Sequence, residues 1–134
     1  MNALHPVARI LIAAIFILSG FHKLTDFSGT AGFVGTLGYP APQLFTALAI
    51  LFELGGGIGL LLGFKTRWSS LALIIFILLA TFTVHVPMMM HAANAQDQQN
   101  QMVQVMKNLA ILGGLLKFFL DGPGSYAVDR GRAA

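Results

Sequence analysis

An all-α integral membrane four-helix bundle with both termini on the cytoplasmic side is the fold class this sequence predicts, and three observations predict it. Of its 134 residues, 56% are hydrophobic and only 10% are charged, whereas a soluble domain carries about 25% charged residues. So few charges cannot coat a surface in water, and the bilayer is the expected solvent and main partner. Four stretches, at about 7–24, 43–63, 68–88 and 102–120, approach the roughly 20 apolar residues a helix needs to cross the hydrocarbon core. The basic residues are also asymmetric. Arg9, Lys65, Arg67, Lys117, Arg130 and Arg132 fall on one side of such a bundle, and only Lys23 and Lys107 on the other. The positive-inside rule puts the first group in the cytoplasm. Residues 1–134 then make a single domain.

Taken in order, the first span follows Arg9 with the uncharged run Ile10 to Phe21. It is not expected to be a cleaved signal, because no small-x-small site follows it and further spans do. Asp26-Phe27-Ser28 can cap a short amphipathic helix bearing Phe33, Val34 and Leu37, which Gly38-Tyr39-Pro40-Ala41-Pro42 ends. This helix is expected to lie at the interface over the outer mouth of the bundle. Gly63-Phe64-Lys65-Thr66-Arg67 is a turn tight enough to make spans two and three antiparallel neighbours, and Trp68 suits an interfacial position. The polar run Asn94 to Gln101 reads either as a solvated loop or as helix projecting past the membrane. In the fourth span Lys107 and Lys117 bracket only Asn108 to Leu116, so both must snorkel. Gly122-Pro123-Gly124 stops that helix.

The composition excludes several chemistries. A net charge of +3, thinly spread, gives no nucleic-acid surface. There is no cysteine, so the chain itself offers no thiol chemistry and no iron-sulfur ligand. No dedicated metal site is expected either, since His85 and His91 are six apart rather than on one helical face. His22 and His85 lie at one membrane level on different spans, which leaves an axial pair for haem geometrically open, although no haem is expected. His5 and His91 are read as bystanders, and Met88-Met89-Met90 as flexible apolar filler.

What could carry chemistry gathers in the outer half. Glu53 sits near the middle of span two, and a carboxylate there is costly and by default functional. Its helical face comprises Thr46, Ala49, Ile50, Gly56, Gly57 and Leu60, so it points into the bundle. Gly55, Gly59 and Gly63 form a second stripe, two overlapping G-x-x-x-G matches through which a homo-oligomer could form. Near the outer ends stand His22 and Lys23, then Thr81 and His85 one turn apart, then Lys107 and Asn108. Each alone has an ordinary role as anchor, cap or packing group. Together, with Glu53 as a floor, they describe a wet pocket suited to proton-coupled work on a carbonyl or quinone head group.

The run F-x-x-S-G-F-H-K-L-x-D-F (Phe16 to Phe27) is followed by L-G-Y-P-A-P (Leu37 to Pro42), F-E-L-G-G-G (Phe52 to Gly57) and L-G-F-K-T-R (Leu62 to Arg67). After these come His85, Lys107-Asn108 and G-P-G-S-Y-A-V-D (Gly122 to Asp129). In order and spacing this resembles the DoxX family of small bacterial four-helix membrane proteins, over essentially the whole chain. The resemblance implies a bacterial inner-membrane location. It also implies, through the related DoxD proteins, a link to quinone-coupled membrane oxidoreductase complexes. Lys23, Glu53, His85 and Asn108 match the family's polar pattern, and Gly20 and Asp129 match as structural positions. His22 and the Gln-rich stretch from Ala92 to Gln101 depart from it, which bears on substrate or partner rather than fold.

The functional expectation is a subunit of a quinone-linked oxidoreductase, beside membrane or periplasmic partner subunits. Glu53, His85 and Lys23 would be its catalytic residues, and His22, Asn108, Lys107 and Thr81 would bind the quinone as substrate. Two other readings stay open: a non-catalytic scaffold or adaptor, and a small-molecule carrier. The absence of a polar pathway through the inner half counts against the carrier.

Overall fold

In hydrocarbon, a backbone with no water to bond must close its own hydrogen bonds, and each apolar stretch does so as a helix. The computed structural model describes residues 2–129; Arg130 and Arg132, which contribute to the basic asymmetry, lie outside the described residues. The elements are α1 (Leu4–Thr25), α2 (Phe27–Thr36), α3 (Pro42–Leu62), α4 (Thr66–Ala80), a π-helical turn (Thr81–His85), α5 (Val86–Met90) and α6 (Ala95–Asp121). No strand occurs among the described residues. The helix α4, the π turn and α5 run on as one apolar length, so four lengths can cross a membrane: Leu4–Thr25, Pro42–Leu62, Thr66–Met90 and Ala95–Asp121.

Proline 87 explains the π turn. It has no N–H to bond the carbonyl four residues back, and its ring crowds that carbonyl, so the chain widens before it. The Val86 N–H accordingly bonds Thr81 O, five residues back.

Helix α1 packs on α3, α3 on α4 and α4 on α6, while α6 meets α1 only thinly. The core is Ala13, Phe16, Leu60, Leu73, Ile74, Ile77 and Leu115. Glycines set how closely α3 is approached. A Cβ on Gly57 would lie 2.9 Å from Ile17 Cγ1 of α1, and one on Gly56 would lie 2.8 Å from Leu73 Cγ of α4. The second glycine stripe is largely used inside the chain. Gly59 receives the Ser69 side chain and Gly63 receives Ala127, which leaves only Gly55 with open space beside it.

At the end of the bundle that carries Arg9, the segment after α6 folds back across the helix ends. Val128 N donates to Leu62 O at 2.9 Å and Asp129 N to Gly63 O at 2.8 Å. The Asp129 carboxylate accepts from Lys65 N, Thr66 N and Thr66 Oγ1, each at 2.8 Å. It therefore caps α4 from outside that helix. Burial pushes the Asp129 carboxyl up, but the bonds from Thr66 and Lys65 outweigh it and hold the group below its ordinary value. Arg9, which enters the sequence reading only as a basic residue before the first apolar run, is 1% exposed. Its guanidinium donates to Pro123 O (2.7 Å), Ser125 O (2.9 Å), Tyr126 O (2.6 Å) and Leu61 O (3.4 Å). A planar fork with five donors is the side chain able to collect so many carbonyls.

At the opposite end lies α2, against α3. It starts at Phe27 after Asp26, but the Asp26 side chain makes no capping hydrogen bond. The cap anticipated from Asp26 is therefore absent. The polar run before the fourth span is helical projection rather than loop. Asn94 caps α6 by accepting from Asp97 N at 2.8 Å, and the 27 residues of α6 extend about 40 Å, past a core of about 30 Å.

Candidate functional site

The buried face of α3 comprises Thr46, Ile50, Glu53, Gly56, Gly57, Gly59 and Leu60, close to the face that helical periodicity assigns to Glu53. Glu53 is 2% exposed. Lys23 of α1 reaches it, with Nζ 2.6 Å from Glu53 Oε1, and donates a second bond to Ser19 Oγ at 2.7 Å. Ser19 stands one helical turn before Lys23, so both project from one face of α1. The same ammonium lies 5.6 Å from the centroid of the Phe76 ring, which in turn meets Phe16 edge-on at 6.4 Å. Gly20 makes the pairing of α1 and α3 close enough, since a Cβ there would stand 2.8 Å from Leu54 Cγ and 3.2 Å from Glu53 Cβ.

This pair lies in the wall of a cavity of about 500 Å³. Most of its lining is apolar, from α1, α3, α4 and α6, and Thr30, Phe33, Val34 and Leu37 close it at the α2 end. His85, Lys107 and Asn108 also line it. Five of the seven residues expected at the site, Lys23, Glu53, His85, Lys107 and Asn108, thus share one cavity. Thr81 does not line it; it is buried behind Asn108, whose Nδ2 donates to Thr81 Oγ1 at 2.9 Å and so pins the π turn to α6. His22 is exposed on α1 and lies outside the lining, so it and His85 face no common space. Lys107 is exposed, and its ammonium is bonded to Gln104 Oε1 at 2.6 Å.

A second cavity of about 600 Å³ adjoins the first, sharing Leu37, Thr83 and Val84 with it. Its polar lining is His91, Asp97, Asn100 and Gln101, besides Thr83. Gln101 bridges the two spaces, because its Oε1 lies 3.0 Å from Nδ1 of His85, which lines the first. At the shared edge Tyr39 Oη donates to Thr83 Oγ1 at 2.6 Å.

Ser19, Phe76, Tyr39, Thr83 and Gln101 escaped sequence reasoning. Only Ser19 left a signal, its four-residue spacing from Lys23; the others are ordinary residues until the fold brings them to a neighbour. Among the described residues no three His, Asp or Glu side chains converge as metal ligands would. The arrangement offers a shielded ammonium and carboxylate at the wall of an apolar space, and a hydrogen-bonded histidine towards a more polar one.

Residues 5–86 match the DoxX family model. The chain is similar to the inner membrane protein YqjF of Escherichia coli (strain K12), 40% identical over 124 residues, which make 92% of this chain and 88% of that protein. It is also similar to the inner membrane protein YphA of the same organism, 34% identical over 124 residues, 92% of this chain and 86% of that protein. No solved structure matches it. Four apolar spans and inner-membrane relatives along nearly the whole length make it a multi-pass inner-membrane protein, and the chain belongs to the DoxX family.

Proposed function

We propose that this protein is the quinone-handling subunit of a membrane oxidoreductase, with both termini in the cytoplasm and the α2 end facing outward. The observation that supports the reading is a charged pair, Lys23 and Glu53, in the wall of an apolar cavity of about 500 Å³. Cavities of this size, mostly apolar with a few convergent polar groups, suit small-molecule head groups. A quinone carbonyl would accept a hydrogen bond from the Lys23 ammonium, and Glu53 beside it would exchange the proton. Reduction to the quinol takes two electrons and two protons. The electrons come from a redox-active partner subunit, and the protons pass by way of Glu53 and His85, whose bond to Gln101 reaches the polar cavity.

Glu53→Gln tests this, because the amide keeps the shape and can still accept from Lys23. The bundle is expected to stay folded while quinone-dependent turnover of the complex is lost; Lys23→Met and His85→Ala are expected to weaken turnover by more than their loss of folded protein accounts for. A second reading has its own observation. The Lys23–Glu53 bond ties α1 to α3, as a non-catalytic scaffold requires. On that reading turnover falls only in step with folded protein across the three variants.

A further inference from the structure

The two ends of α3 treat α4 differently. Towards the Arg9 end, Gly56 and Gly59 let Leu73 and Ser69 press against the α3 backbone. Towards the α2 end, larger residues replace the glycines: Phe45, Leu48 and Phe52 on α3 face the cavity, with Ile75, Leu79 and Thr83 on the α4 side. The helices are therefore wedged apart over the half that holds the cavity. Four apolar wedge residues line the cavity and yet stay widely exposed, Leu48 at 41% and Leu79 at 58%, with Phe45 and Ile75 close to the former. Lining side chains this accessible mark an opening. Because α3 and α4 are membrane spans, the opening faces lipid rather than water.

We infer that the cavity takes its ligand sideways from the bilayer, through the wedge between α3 and α4. The ligand class is a long-tailed amphiphile whose tail stays between Leu48 and Leu79 while its head reaches Lys23 and Glu53. This rests on the quinone reading for the head group and adds the route and the tail. The chemistry of the lining carries it: the wedge offers only apolar side chains below Thr83, so it suits a hydrocarbon tail and disfavours a hydrated solute. At the α2 end the Tyr39–Thr83 hydrogen bond crosses from the α2–α3 connection to the π turn and marks where the wedge gives way to the more polar cavity.

The natural absence of cysteine makes the test clean. In a Trp68→Phe background, Phe16→Trp places the single tryptophan, excited selectively over the tyrosines, on the cavity wall, where Phe16 is 4% exposed; Phe76→Trp serves if that variant does not fold. Single cysteines at Leu48, at Ile15 (cavity-lining, on the α1 side) and at Leu109 (exposed, not lining) are alkylated with benzylmaleimide. The proteins are then reconstituted in phosphatidylcholine vesicles containing a long-tailed benzoquinone, or in vesicles whose acyl chains are brominated. The expected result is quenching of the cavity tryptophan by the long-tailed quinone, lost with label at Leu48 and retained with label at Leu109 and Ile15. Quenching that survives the Leu48 label, or that only the Ile15 label removes, overturns entry through this wedge and leaves the quinone reading standing. Label-sensitive quenching by brominated chains but none by the quinone upholds the lateral route and sinks the quinone reading. No quenching by either probe overturns both.

Discussion

Breaking and then deleting the Lys23–Glu53 pair is the sharpest energetic test of this site. At 2.6 Å the direct attraction is roughly 6 kcal/mol for an effective dielectric of about 20. Most of that is offset by taking both groups out of water, so the net worth of the pair is far smaller. The asymmetry in exposure, 23% for the Lys23 side chain against 2% for Glu53, sets the order of the single variants. Lys23→Met strands a carboxylate that is almost wholly buried and is expected to cost about 3 kcal/mol; Glu53→Met strands an ammonium that can still turn towards polar surroundings and costs about 2 kcal/mol. The double variant replaces the pair with apolar groups of similar length and costs about 1 kcal/mol or less. The coupling energy is then about 4 kcal/mol. Unfolding in mixed micelles, followed by far-ultraviolet circular dichroism as denaturing detergent is titrated, measures all four proteins. A coupling below about 0.5 kcal/mol, or Glu53→Met costing more than Lys23→Met, would refute the reasoning, because the charges would then not depend on one another as the geometry requires.

Arg9→Met removes all four guanidinium bonds to carbonyls. It is expected to lower stability by about 3 kcal/mol and to make a cysteine placed at Ala127 far more reactive to maleimide; unchanged reactivity would show that the segment after α6 holds without Arg9. Asp129 lies below its ordinary value of 3.8 when folded, so its stabilising contribution is fully present above that value and is lost as pH falls through the lowered one. Unfolding measured against pH should therefore weaken in this acid range, and Asp129→Asn should flatten that part of the profile. For topology, a cysteine at Gln98 should react with a membrane-impermeant reagent in intact cells and one at Lys65 should not; the opposite pattern would invert the assignment of sides.

Much of this molecule is legible from one dimension because the bilayer removes alternatives. An uncharged run such as Ile10 to Phe21 has to be helix, since hydrocarbon offers its backbone no other partners. The face of α3 bearing Glu53 follows from a period of 3.6 residues alone. What the sequence could not decide is which polar groups meet. Arg9 looks like any basic residue flanking a span until the segment after α6 folds back and brings Pro123, Ser125 and Tyr126 carbonyls around it. Lys23 is as good an anchor as Lys107 on paper, but only Lys23 stands opposite Glu53, because Gly20 lets α1 and α3 approach. His22 and Thr81 are expected at the site, but the helix faces they occupy turn one outward and bury the other. Local sequence determines span and helical phase; the contacts that make a site join residues of different helices, such as Lys23 to Glu53, 30 positions apart, and those depend on how closely each pair of helices can pack.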